Sequence, residues 1–243
     1  MTTKWIVSGT KKFSFFMLKT FLNSIILLHL LTCFNGFSQN NFNVLGESLV
    51  AINHKTTETY SYNFTFRSRY FLNLTNNFSY QQQQVDVFHF SHFKLNTNTK
   101  LSLGVYYRNR DWFESGPDEL RFTQQYNYTK KKLGKSYGHR FRTEQRILGN
   151  KTIYRQRYRF SLNSPLKGNT LEIGSAYLTN AIEGLLSLSK AYKPETDIRI
   201  SSQIGWLITE ALKLQTGLEH RYEAFNLKAK HNLFVLTSAV LRI

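Results

Sequence analysis

Ile153-Tyr154-Arg155-Gln156-Arg157-Tyr158-Arg159-Phe160-Ser161-Leu162 alternates two chemistries residue by residue. Tyr154, Tyr158, Phe160 and Leu162 fall on one side, and Arg155, Arg157 and Arg159 on the other. A β-strand sends successive side chains to opposite faces, so the run reads as a strand with an aromatic-aliphatic face and a triply cationic one. On a helix the arginines would spread around the cylinder and neither face would form. Three arginines do not sit in a dry core, while the rings opposite them need an apolar neighbour. Lipid outside and a hydrated, ion-paired lumen inside meet both demands, as in an outer-membrane β-barrel.

The same alternation recurs along the chain. Tyr60, Tyr62, Phe64 and Phe66 oppose Ser61, Asn63, Thr65, Arg67 and Arg69; Leu101, Leu103, Val105 and Tyr107 oppose Ser102, Gly104, Arg108 and Arg110. Leu120, Phe122, Tyr126 and Tyr128 oppose Glu119, Arg121, Thr123, Gln125 and Asn127. Ile198, Ile200, Ile204 and Trp206 oppose Arg199, Ser201, Gln203 and Gly205. Leu72 to Lys94 reads as two strands whose register blurs around Gln81–Gln84. Leu171, Ile173 and Tyr177, set against Glu172, read as one strand, with a shorter one from Glu183 to Lys190. The expected fold is all-β, an antiparallel up-and-down transmembrane barrel of ten to twelve strands, each of roughly 9–11 residues. Twelve is favoured because bacterial barrels have even strand numbers. A soluble sandwich or lipocalin-like barrel also alternates but turns its apolar side inward. Strand patterning alone does not say which face is in; strand length, aromatic abundance and an export signal favour the membrane form.

Bulk composition agrees. A hydrophobic share of 41% and a mean hydropathy of −0.38 exclude a helical membrane bundle but not a barrel, half of whose strand residues are polar. Fourteen Tyr and 20 Phe suit interfacial girdles. The net charge is +17, or +13 once the four lysines ahead of the expected cleavage site are removed. Basic residues recur strand after strand, often near Glu, rather than clustering on one patch, so no nucleic-acid partner is expected. Anionic lipid headgroups or a cationic lumen account for the charge better. Cys33 is the sole cysteine, which leaves no disulfide framework and no multi-cysteine metal site.

Residues 1–38 read as a secretory signal, with Met17 as an alternative start. Lys19 supplies a charge, Phe21 to Leu31 a short apolar run, and Gly36-Phe37-Ser38 small residues before a cleavage at Ser38/Gln39. The apolar run is interrupted by Asn23, Ser24 and His29, and is shorter than the ~20 residues of a spanning helix. Residues 39–243 then form a single barrel domain, placed in the bacterial outer membrane and delivered there by the outer-membrane assembly machinery.

Glu119-Leu120-Arg121-Phe122, His139-Arg140-Phe141-Arg142-Thr143-Glu144-Gln145-Arg146, Arg155-Gln156-Arg157-Tyr158-Arg159-Phe160 with Ser164-Pro165-Leu166, and Tyr177-Leu178-Thr179-Asn180-Ala181-Ile182-Glu183 resemble the DUF2490 family. The resemblance covers roughly residues 43–243. It implies an outer-membrane β-barrel of Gram-negative bacteria, including Bacteroidetes, and brings no activity or catalytic residues.

The candidate site is a basic lumen ladder: Arg121, Arg140, Arg142, Glu144, Arg146, Arg155, Arg157, Arg159, Glu172 and Glu183. Guanidinium forks pair with carboxylates in fixed geometry and would brace the barrel; arginines left unpaired would attract small anionic solutes. The leading expectation is therefore a non-enzymatic, porin-like barrel, either a narrow conduit or a structural one. Two alternatives stand beside it. His89 and Ser91, two residues apart on one strand face, could serve a lipid-modifying hydrolase with Ser as nucleophile. A soluble periplasmic β-protein binding an acidic ligand is the other. His54, His139, His220 and His231 lack metal-ligand spacing, and neither a metal nor a cofactor is expected.

Overall fold

A computed structural model describes residues 42–73, 79–113 and 116–243. The expected signal segment, the start at Met17, Cys33 and the Ser38/Gln39 cleavage site lie outside the described residues. Eleven strands follow in order: β1 (Phe42–Lys55), β2 (Tyr60–Asn73), β3 (Ser79–Lys94), β4 (Thr99–Asn109), β5 (Glu119–Lys132), β6 (Lys135–Leu148), β7 (Lys151–Pro165), β8 (Ala176–Leu188), β9 (Glu195–Leu207), β10 (Leu212–Glu223) and β11 (Lys230–Arg242). Each pairs antiparallel with the next, and β11 returns to β1 to close a barrel.

The all-β barrel expected from the alternation is present, with eleven strands among the described residues rather than the favoured twelve. The favoured twelve rests on the even-number rule, which this barrel does not follow; two segments also depart from the strands expected of them. Arg69 pairs with Gln84 but Tyr70 with Gln82, so Gln83 is an extra residue on β3. A one-residue bulge swaps the two faces of the strand beyond it. Even-numbered residues face outward at Tyr80 and inward from Gln84 on, and one bulged strand therefore reads as two short ones. The other departure lies before β8. Residues 166–175 form a loop, in which Gly174 takes a φ of +81° and Ser175 donates to the carbonyl of Glu172. The strand expected at Leu171–Tyr177 is this loop and the start of β8. Tyr177 consequently faces inward, over Gly205 of β9, where a Cβ would come within 2.4 Å of its ring.

An odd count has a consequence at the closing seam. With ten antiparallel steps between them, β1 and β11 run in the same direction. Asn43 Nδ2 donates to Asn232 Oδ1 at 2.9 Å, the Ser48 and Thr237 hydroxyls meet at 3.0 Å, and Asn53 Nδ2 donates to the carbonyl of Leu241 at 3.3 Å. The sequence offset stays at 189, 189 and 188, as a parallel pair requires. Expected from this is a disulfide between Ser48→Cys and Thr237→Cys on mild oxidation of the folded barrel, and none between Ser48→Cys and Leu233→Cys. Free thiols at both 48 and 237 in the folded protein would refute a parallel seam.

The two faces of the sheet have opposite chemistry. Val50, Ile52, Phe64, Phe66, Leu103 and Val105 are among the large apolar side chains exposed on the outer face, Phe64 to 51%. Buried inside are Glu47, Asp86, Arg108, Glu119, Arg121, Glu144, Glu183 and Arg221. A soluble barrel would show the reverse. One outward patch is polar: Gln124 and Gln145 exchange reciprocal amide hydrogen bonds at 3.3 Å, and Thr143 donates to Gln156 at 2.8 Å. These groups satisfy one another, which lowers the cost of holding them among Phe122, Tyr126 and Tyr158. Inside, Leu45, Phe71, Phe234 and Leu236 form a small apolar cluster.

Candidate functional site: an ionic circuit inside the barrel

Eight strands enclose a space that side chains just fill, whereas sixteen leave a channel. Eleven strands leave an interior too wide for short side chains, and long arginines reach across it. Arg140 of β6 passes over β7 to Glu183 of β8, and Arg221 of β10 passes over β11 to Glu47 of β1. The guanidinium of Arg142 lies 5.3 Å from the ring of Phe90, three strands away.

These contacts join into a chain of alternating charge. Glu219 binds Arg221 (2.5 Å), which binds Glu47 (3.3 Å); Glu47 meets Arg69 (2.7 Å) and Arg67 (3.5 Å). Arg67 binds Asp86 (2.6 Å), Asp86 binds Arg108 (2.9 Å), and Arg108 binds Glu119 (3.3 Å). Glu119 holds Arg121 and Arg146, each at 2.6 Å, and Arg121 continues to Glu144 at 3.2 Å. Arg157 bridges Glu144 (2.9 Å) and Glu183 (2.6 Å), and Glu183 ends the chain on Arg140 (2.7 Å). The circuit thus runs from β10 through β1 around to β8.

Register explains the need for so many shared carboxylates. Arg142 pairs directly opposite Arg157, Arg140 opposite Arg159, and Arg199 opposite Arg221. Like charges facing each other across strands repel. A carboxylate that accepts from two or three guanidinium groups removes that repulsion with charge-assisted, fork-like hydrogen bonds. Glu144 and Asp86 have no solvent exposure, so their charges are balanced by the arginines around them, and Gln84 Nε2 also donates to Asp86 at 3.1 Å. Tyr106 adds to the binding: its hydroxyl accepts from Arg67 (2.7 Å) and Arg108 (2.6 Å), and its ring lies 4.3 Å from the Arg121 guanidinium.

A family model described as "Protein of unknown function (DUF2490)" matches residues 48–231. The chain belongs to the DUF2490 family. No curated protein and no solved structure matches it. In this DUF2490 barrel the matched span takes in every member of the circuit except Glu47.

Of the ladder read from the sequence, Arg121, Arg140, Arg142, Glu144, Arg146, Arg155, Arg157, Arg159 and Glu183 come together on the inner face. Glu172 does not. It lies exposed in the loop before β8, where Thr170 donates to it at 3.3 Å, because that segment is not a strand. The ladder as read also left out more than half of the circuit: Glu47, Arg67, Arg69, Asp86, Arg108, Glu119, Glu219 and Arg221 belong to it. Same-face alternation marks Arg67, Arg69, Arg108, Glu219 and Arg221; the Gln83 bulge hides Asp86, and Leu45 and Leu49 beside Glu47 blur the polar face of β1.

His89 and Ser91 of the DUF2490 barrel do meet, on the outer face, with Nε2 3.2 Å from the hydroxyl. A nucleophilic triad needs a third group to orient the imidazole. Here His89 Nδ1 is buried without a hydrogen-bond partner, its ring packs 4.6 Å from Phe64, and the second contact of Ser91 is the Tyr60 hydroxyl at 3.1 Å. Among the described residues no His/Cys/Asp/Glu group has the arrangement of a metal site.

Proposed function

We propose that this DUF2490 protein is an exported outer-membrane barrel whose hydrated interior is braced by the arginine–carboxylate circuit, a narrow porin-like or structural barrel rather than a wide pore. One observation carries the reading: apolar side chains cover the outer face, and the ion pairs lie inside. A belt of exposed Phe, Leu, Ile and Val around a closed sheet is stable only against hydrocarbon. On this reading outer-membrane lipids contact the belt, residues 1–38 address the chain for export, the assembly machinery inserts it, and the excess positive charge of the interior favours small anions. The unoriented His89–Ser91 pair gives a hydrolase no comparable support.

Direction-specific labelling tests the proposal. Single cysteines replacing Tyr154, Tyr158 and Phe160 should react with lipid-soluble probes, and those replacing Arg155, Arg157 and Arg159 with small aqueous thiol reagents. The reverse pattern, or recovery of the chain in the soluble periplasm without detergent, would favour the soluble β-protein. A folded barrel should also migrate faster on gels than the boiled chain. Sequencing of the mature N-terminus should find Gln39 or its pyroglutamate, and a chain retaining Phe21–Leu31 would count against export by cleavage.

A further inference from the structure

The circuit is open at one place. On a single transverse row, Arg159 of β7 pairs opposite Glu183 of β8, and Glu183 opposite Arg199 of β9. Glu183 makes its side-chain hydrogen bonds to neither neighbour. One oxygen accepts from Arg140 at 2.7 Å and the other from Arg157 at 2.6 Å. Among the described residues, Arg159 makes no side-chain hydrogen bond and no ion pair. Among the described residues, the one ion pair of Arg199 is a loose one with Glu223 at 3.9 Å, and the buried Nε atoms of Arg199 and Arg140 have no hydrogen-bond partner.

Space adjoins these cations. The next inward row above Arg140, Arg159, Glu183 and Arg199 reads Gly138, Ser161, Ala181 and Ser201, all short. An interior cavity of about 710 Å³ reaches Arg140, Arg159 and Arg199. Fourteen cationic side chains line that cavity, against nine carboxylates that line it or, as Asp86 and Glu119, lie buried beside it. Guanidinium groups in a confined interior without counter-charge are unfavourable, and a bound anion supplies the missing partner.

We propose that the gap in the circuit is a binding site for a tetrahedral oxyanion, phosphate or a phosphomonoester, held between Arg159 and Arg199 with Arg140 beside them. Donors approaching from three different strands match oxygens arranged around a tetrahedral centre better than the two coplanar oxygens of a carboxylate. This rests on the reading of the interior as hydrated, and deepens it by naming what the cationic lumen holds.

The test uses the folded protein in neutral detergent micelles, titrated with inorganic phosphate at constant ionic strength while the thermal unfolding midpoint is followed. A saturable rise is expected, with a smaller rise for acetate. Arg159→Gln should weaken half-saturation by about tenfold or more, the worth of a charge-assisted hydrogen bond. Arg199→Gln provides a second variant, and heat-modifiable migration shows whether each has folded. Lys132→Gln, on a strand end, should leave the response unchanged. No saturable response in the wild type, or equal responses in the wild type and both folded arginine variants, would overturn the site. A response confined to phosphatidic acid in vesicles, absent with free phosphate, would also overturn it, since a headgroup on the outer face does not reach the interior. Flotation with phosphatidylcholine vesicles is scored separately; its failure would remove the membrane reading and leave the micelle titration to decide the anion site by itself.

Discussion

Glu119→Gln is expected to lower the unfolding free energy of the barrel by roughly 3–5 kcal/mol, and by less where water enters the interior. Glu119 is 1% exposed and accepts from Arg146 Nε at 2.6 Å, Arg121 Nη2 at 2.6 Å and Arg108 Nη1 at 3.3 Å. The amide keeps the size of the side chain but removes its charge and turns an N–H₂ toward three guanidinium donors. Arg108, Arg121 and Arg146 would then repel one another with one shared acceptor lost. Urea titration in lipid vesicles reads the effect as a lower midpoint at unchanged slope. A loss under about 1 kcal/mol, the range of exposed pairs, would mean that the circuit is solvated and contributes little to stability.

Phe141→Arg tests the outer face. Phe141 lies in the middle of β6, is 54% exposed, and packs its ring 4.7 Å from that of Tyr158. If hydrocarbon surrounds it, a guanidinium there should cost roughly 2–4 kcal/mol in refolding into vesicles, the figure for a bilayer midplane. Leu133→Arg, in the exposed turn between β5 and β6, should cost only about 0–1 kcal/mol, as near an interface. Equally small costs at both positions would mean that water meets the outer face, and the soluble β-barrel would become the better reading.

Much of the barrel was legible because a strand's side-chain period is two. Arg155, Arg157 and Arg159 had to share a face opposite Tyr154 and Tyr158 whatever the partners of β7 turned out to be. The same rule marked the inward rows of β2, β4, β5 and β9. It failed where local geometry departs from the period. Gln83 adds one residue to β3, which exchanges the two faces and conceals Asp86, the carboxylate joining Arg67 to Arg108. The apparent alternation at Leu171–Tyr177 failed differently. Those residues have no partner strand until Ala176, and a pattern without pairing remains a loop.

By itself the sequence determined the all-β class, the two chemistries of each strand and the membership of most of the ladder, since these follow from covalent order and a period of two. Which face turns inward became visible with the folded barrel, because alternation is symmetric under exchange of inside and outside. Pairing register decided which carboxylate answers which arginine. Glu183 lies opposite Arg159 and Arg199 yet is taken by Arg140 and Arg157, an outcome set by side-chain reach across neighbouring strands and invisible to spacing along any one of them. The parallel seam of β1 and β11 is likewise a property of closure: an odd number of strands in one ring leaves its first and last members running the same way.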